Sequence, residues 1–178
     1  MPTDIIFVLG PAGVGKSHLS SALAKKLDYL FYEVDQYPTA DGIDVHGLRD
    51  EWNVFCVQAS PDALLDVLKE RAQVAGKSGI VLGFPSFVMA GDHLGALRGK
   101  VRVVYLTGTE EQCRDAFLTR ERQTGRGLSA AHWELNNKAM FQFLKTQEAK
   151  EYSVACFEKN GYRRSVDQVL TEMAGGPA

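Results

Sequence analysis

The sequence predicts an α/β fold, a three-layer α/β/α sandwich around a parallel sheet. Three observations carry this reading. Short apolar, β-rich runs alternate with longer amphipathic stretches along the whole chain, the pattern of strands joined by crossover helices. Those runs are continuously apolar rather than alternating, as expected of strands covered on both faces. A glycine-rich loop joins the first apolar run to the first amphipathic stretch.

The first strand is Ile5-Ile6-Phe7-Val8-Leu9, ending at Gly10. From Lys16 the spacing turns helical, with Leu19, Ala22, Leu23 and Leu27 on one face. Leu30-Phe31-Tyr32-Glu33-Val34 reads as the second strand, ending at Asp35. Residues 36–47 carry Pro38, Gly42 and Gly47 and read as a loop, with a short helix from Val45 to Val57 after it. Ser60 is expected to cap the next helix, with Pro61 in its first position and Asp62 favouring the positive N-terminal end. Its apolar stripe is Leu64, Leu65, Leu68 and Ala72.

Gly79 to Gly83 is a short buried strand, and Val101 to Leu106 the fourth. Thr109 caps a helix with Glu110 and Glu111 in its first turn, running toward Arg122. Gln123-Thr124-Gly125-Arg126-Gly127 is a basic, glycine-rich break. One long helix is expected from Ala130 to Lys150, a last strand over 152–158, a turn at Asn160-Gly161, and a final helix capped by Ser165 before a fraying tail.

The chain has 178 residues, suited to a single domain spanning 1–178. It is 45% apolar and 24% charged with a net charge of −2, so nothing in the balance points to a nucleic-acid polymer as partner. Cys56, Cys113 and Cys156 are odd in number and far apart, which argues for reduced thiols and against a disulfide framework or zinc site. Met1-Pro2-Thr3-Asp4 offers no basic start, and the apolar run stops at Leu9. A signal peptide or membrane span is therefore not expected, and a cytoplasmic monomer or weak dimer is.

Gly10-Pro11-Ala12-Gly13-Val14-Gly15-Lys16-Ser17 matches G-x-x-x-x-G-K-[ST] and sits between a predicted strand and a predicted helix, as its mechanism requires. The glycines let the backbone curl so that its N–H groups converge, and the helix N-terminus adds partial positive charge. Lys16 reaches the β- and γ-phosphates of ATP, and the Ser17 hydroxyl is placed to ligate Mg²⁺. His18 follows and joins the nucleotide-contacting set, although a helix-surface or packing histidine is the simpler reading, since nothing nearby in sequence orients it.

With these residues the chain resembles the small P-loop kinases: shikimate kinase, gluconate kinase and the nucleoside monophosphate kinases. The resemblance implies a P-loop NTPase sandwich with a five-stranded parallel sheet of order 2-3-1-4-5, ATP and Mg²⁺, and a small hydroxyl acceptor with no nucleic acid or membrane partner. Shikimate kinases end their second strand in D-x-D; Glu33-Val34-Asp35 stands there. Asp35 is thereby cast as the base that orients the acceptor hydroxyl, and Glu33 as a Mg²⁺-water ligand and acceptor contact. Leu48-Arg49-Asp50-Glu51-Trp52 is similar to the family's F-R-x-x-E, so Arg49 is placed on an anionic acceptor group. The acceptor segment is then about 36–60. Arg120-Glu121-Arg122-Gln123-Thr124-Gly125-Arg126-Gly127-Leu128 resembles the family's lid, about 120–130. It casts Arg126 as the transition-state arginine and Arg120 or Arg122 as the one stacking on adenine.

The third strand departs from both signatures. Gly83-Phe84-Pro85-Ser86 replaces the shikimate kinase glycine run and also the adenylate kinase G-F-P-R, and no aspartate ends the strand. Gly83 and Phe84 are read as acceptor-side contacts, Gly83 by allowing close approach. Tyr37, Trp52, Phe55, Phe84 and Phe87 either line an apolar acceptor pocket or belong to the core. The readings in competition are a small-molecule kinase with an anionic acceptor, a nucleoside monophosphate kinase, and an ATP-binding regulatory module with little transfer activity.

Overall fold

The computed structural model describes residues 3–34, 47–84, 88–89, 91–125 and 127–175. Asp35, Tyr37, Ser86, Phe87 and Arg126, and residues 36–46 of the loop expected over 36–47, lie outside the described residues. The strands are β1 Asp4–Leu9, β2 Leu30–Glu33, β3 Gly79–Gly83, β4 Arg102–Thr107 and β5 Ser153–Ala155. They form one five-stranded sheet of order β2-β3-β1-β4-β5 with every pairing parallel. That is the order expected.

Side chains alternate across a strand, so β1 feeds both faces of the sheet. Ile5, Phe7 and Leu9 join one buried cluster with α2 (Arg49–Gln58), α3 (Asp62–Val74) and α4 (Asp92–Leu97). Ile6 and Val8 join the other with α1 (Lys16–Leu27), α5 (Glu110–Thr124) and α8 (Val166–Gly175). Helix α6 (Ala130–Phe143) contributes to both, Met140 and Phe143 to the first and Trp133 and Phe141 to the second. The three layers follow directly. At the N-terminal edge of the sheet, Arg102 ties β1 to the end of α8, bonding Asp4 Oδ2 at 2.6 Å and the Ala174 carbonyl at 2.5 Å.

Several boundaries differ from expectation for local reasons. Ala59 takes a left-handed conformation (φ 52°) and closes α2, which begins at Arg49. Pro61, not Ser60, occupies the cap of α3: its carbonyl accepts from Leu65 N at 2.9 Å, and no side-chain cap bond is made. The helix expected over 130–150 is two, because Thr146 accepts from Ala149 N at 3.2 Å and starts α7 (Gln147–Lys150) anew. The last strand is shorter than 152–158, and α4 was not foreseen. Both side-chain caps expected at Thr109 and Ser165 are present, each paired with a glutamine three residues on. Cys56, Cys113 and Cys156 are free. Among the described residues, no helix is long and apolar enough to cross a membrane.

Candidate nucleotide site

The loop between β1 and α1 lies at the carboxyl edge of the sheet, where open α/β folds bind ligands. Two glycines shape it. Gly15 (φ +106°) turns the chain into α1, and Gly13 (φ +93°) brings the loop against α5 so closely that a Cβ there would lie 1.9 Å from the Cys113 carbonyl oxygen. Helix α1 starts with no side-chain cap and no acidic residue in its first turn. Its first N–H groups and its dipole are therefore left to attract an anion.

Lys16 is 8% exposed, and its Nζ donates to the Pro11 carbonyl at 3.1 Å, folded back over the loop. The Ser17 hydroxyl donates to Glu33 Oε1. Glu33 ends β2, in register with Gly83 at the end of β3, so the sheet delivers this carboxylate to the mouth of the loop. A hydroxyl and a carboxylate oxygen at one point are hard donors that suit Mg²⁺, which keeps several waters and needs few protein ligands.

A cavity of about 330 Å³ is lined by Gly15, Lys16, Ser17 and His18 together with Arg120 and Arg163. Arg120 lies on α5, its guanidinium 5.2 Å from the Phe117 ring centroid and 3.1 Å from the buried Glu121 carboxylate. Arg122 bonds Thr119 at 3.3 Å and is not among the residues lining the cavity. A second hollow of about 320 Å³ adjoins the first at Gly15, His18 and Arg163, and is walled by Leu19, Val166 and Val169. A larger cavity of about 540 Å³, on Leu94, Leu97, Val101 and Val103, lies by the N-terminal ends of β4 and β5, at the other edge of the sheet. Size does not identify the site; the converging donors of the loop do.

The remaining expected residues fall into place as follows. His18 is exposed at the rim of both hollows, and Arg49 opens α2, partly exposed. The bare side of Gly83 faces Ser20 Oγ and the Phe31 ring, at 3.6 and 3.4 Å from an added Cβ, ordinary contact distances that packing there would tolerate. Phe84 is 1% exposed between Phe7 and Trp52, with ring centroids 4.7 Å from each. Trp52, Phe55 and Phe84 all belong to the buried cluster on that face of the sheet.

Sequence reasoning missed Arg163. It follows the Asn160-Gly161 turn on a tight return in which Phe157 and Arg163 pair antiparallel. Its guanidinium lies 4.8 Å from the Phe157 ring centroid and donates to the Val14 carbonyl at 2.9 Å and the Gly13 carbonyl at 2.8 Å. The available signal was a pair of arginines, Arg163-Arg164, just past the last strand's carboxyl end and before the capping Ser165.

No family model matches the chain. Over 124 residues it is 28% identical to the shikimate kinase of Legionella pneumophila, covering 69% of this chain and 66% of that enzyme. Over 112 residues it is 29% identical to the shikimate kinase of Francisella philomiragia, covering 62% and 61%. The matched stretch thus spans just under two thirds of the length of these relatives. A sugar kinase from a Janibacter species superposes with a TM-score of 0.55 at 19% identity, covering 98% of this chain and 94% of that one. A gluconokinase from Sinorhizobium meliloti gives 0.53 at 17%, covering 98% and 91%, and the shikimate kinase of Bacteroides thetaiotaomicron 0.52 at 16%, covering 97% of each. At these identities the structural likeness establishes the fold, which is that of the small P-loop kinases.

Proposed function

We propose that this protein is an ATP-dependent kinase that transfers the γ-phosphoryl group to a hydroxyl of a small, anionic metabolite. One observation carries the reading: an uncapped helix start, Lys16 and Ser17 line one cavity at the carboxyl edge of the sheet, with the Glu33 carboxylate bonded to the Ser17 hydroxyl. Sequence similarity to two shikimate kinases supports it and makes a polyhydroxylated carboxylate the first acceptor to try.

In this reading the N–H groups at the start of α1 hold the β-phosphate, and Lys16 exchanges the Pro11 carbonyl for the β- and γ-phosphate oxygens. Ser17 and Glu33 hold Mg²⁺, directly or through its waters; when bound, the ion offsets phosphate charge. Arg120 and Arg163 flank the adenine end, and Arg126 supplies positive charge to the transferring group. Asp35, two residues beyond Glu33, takes the acceptor's proton. The acceptor oxygen forms a bond to γ-phosphorus as the bond to the β–γ bridging oxygen breaks, and ADP departs with that electron pair. Arg49 is assigned to the acceptor's anionic group, within a segment of about 36–60, and residues of about 120–130 close over the nucleotide.

The test is ADP release from Mg·ATP across a panel of hydroxyl compounds: shikimate, gluconate, AMP, CMP and aminocyclitols. Release that depends on one carboxylate-bearing acceptor is expected. Release driven by AMP or CMP would move the assignment to nucleotide acceptors, and none with any acceptor would leave a binding module.

A further inference from the structure

The carbonyls of the loop are held from outside it. Trp133 and Asn137 stand four residues apart on α6 and so face the same way, and each is 1% exposed. Trp133 Nε1 donates to the Ala12 carbonyl at 2.8 Å, and the Ala12 N–H donates to Asn137 Oδ1 at 2.7 Å. Asn137 Nδ2 donates to the Trp133 carbonyl at 2.7 Å, which fixes the amide with its oxygen toward the loop. Both hydrogen-bonding groups of one loop residue are thus held by a helix more than a hundred positions later. Arg163 does the same for the next two carbonyls, Gly13 and Val14.

The electrostatic consequence is direct. A phosphate-binding loop works because its N–H groups point inward, and any carbonyl that rotated inward would oppose the same phosphate. Here three successive carbonyls, of Ala12, Gly13 and Val14, are each engaged by a donor outside the loop. Ala12 N–H is itself turned to α6 and so is not offered to a phosphate. On the other flank, the contact between Gly13 and the Cys113 carbonyl leaves the loop no room to slide toward α5.

We propose that Trp133 and Asn137 are positioning residues for nucleotide binding, a latch on α6 that presets the loop's amides toward the phosphates. The proposal rests on the reading of this loop as the ATP site. Trp133→Phe keeps an aromatic ring beside Phe141, whose centroid lies 5.5 Å away, and deletes only the donor to Ala12. Asn137→Leu keeps the volume and deletes the bonds to the Ala12 N–H and the Trp133 carbonyl. Each variant should weaken Mg·ATP about tenfold in calorimetry, on the order of 1.4 kcal/mol. The number of binding sites per folded molecule should stay unchanged. In the transfer assay the loss should fall on KM for ATP rather than on kcat. A merely structural role would instead lower the number of competent sites and leave the Kd of those remaining at its wild-type value. Should Asn137→Leu fail to fold, Trp133→Phe decides alone. Wild-type protein that does not bind Mg·ATP refutes the reading of the loop. Wild-type protein that binds it, with Trp133→Phe binding equally tightly, refutes the latch.

Discussion

Ser17 and Glu33 meet although they stand sixteen residues apart, because a helix start and a strand end share one edge of the sheet. If they hold Mg²⁺, Glu33→Gln should raise the Mg²⁺ concentration for half-maximal turnover by about 10- to 100-fold, the scale on which such ligands act. An unchanged Mg²⁺ dependence would remove Glu33 from the metal. Asp35→Asn keeps size and polarity while removing the base. It should leave ATP binding intact and cut transfer by about 10²-fold or more, read by single-turnover kinetics. Near-normal transfer would give the proton to another group. Lys16 and Ser17 were singled out by the spacing of the loop motif, and Glu33 by the resemblance at the end of the second strand. Arg163, Trp133 and Asn137 were not, because their partners lie over a hundred residues away and only the fold brings them to the loop.

At the scale of elements, the loop is wedged between α5 and α6. Gly13→Ala would press a Cβ onto the Cys113 carbonyl and hold a residue at φ +93°, which L side chains resist. We expect a loss of about 1–3 kcal/mol or more in chemical denaturation, together with loss of nucleotide binding. A variant as stable as wild type would mean that α5 gives way easily. The sequence showed helix α5 and its cap because Thr109 followed by Glu110 and Glu111 is a local signal, and it showed the strands because continuous apolar runs need no long-range information. It misjudged α6 and α7 because a hydrophobic pattern does not reveal that Thr146 will cap a new helix. Helix α4 escaped notice because six residues containing a glycine leave little periodicity to read.

Over the whole molecule, a chain of net charge −2 gathers Lys16, Arg120 and Arg163 around one cavity, a local attraction that the overall balance conceals. Burial pushes the thiols of Cys113 and Cys156 from 9.0 up to about 12 and about 11. Their folded values exceed their unfolded ones, so the stability they carry is complete below about pH 9 and is lost as pH climbs through their folded values. Denaturant midpoints at about pH 8 and about pH 10.5 should differ more for wild type than for Cys113→Ala/Cys156→Ala. Equal differences would show that these thiols titrate normally. The layers and the sheet order were legible from alternation and resemblance. The acceptor is not, since Asp35 and Arg126 take their proposed roles from sequence alone. The most direct test of the central claim, that Gly10 to Ser17 hold ATP, is calorimetric titration of Mg·ATP into wild type and Lys16→Ala. Wild type should bind one equivalent and the variant should lose that binding while keeping its melting temperature; equal affinity in the two would contradict the account.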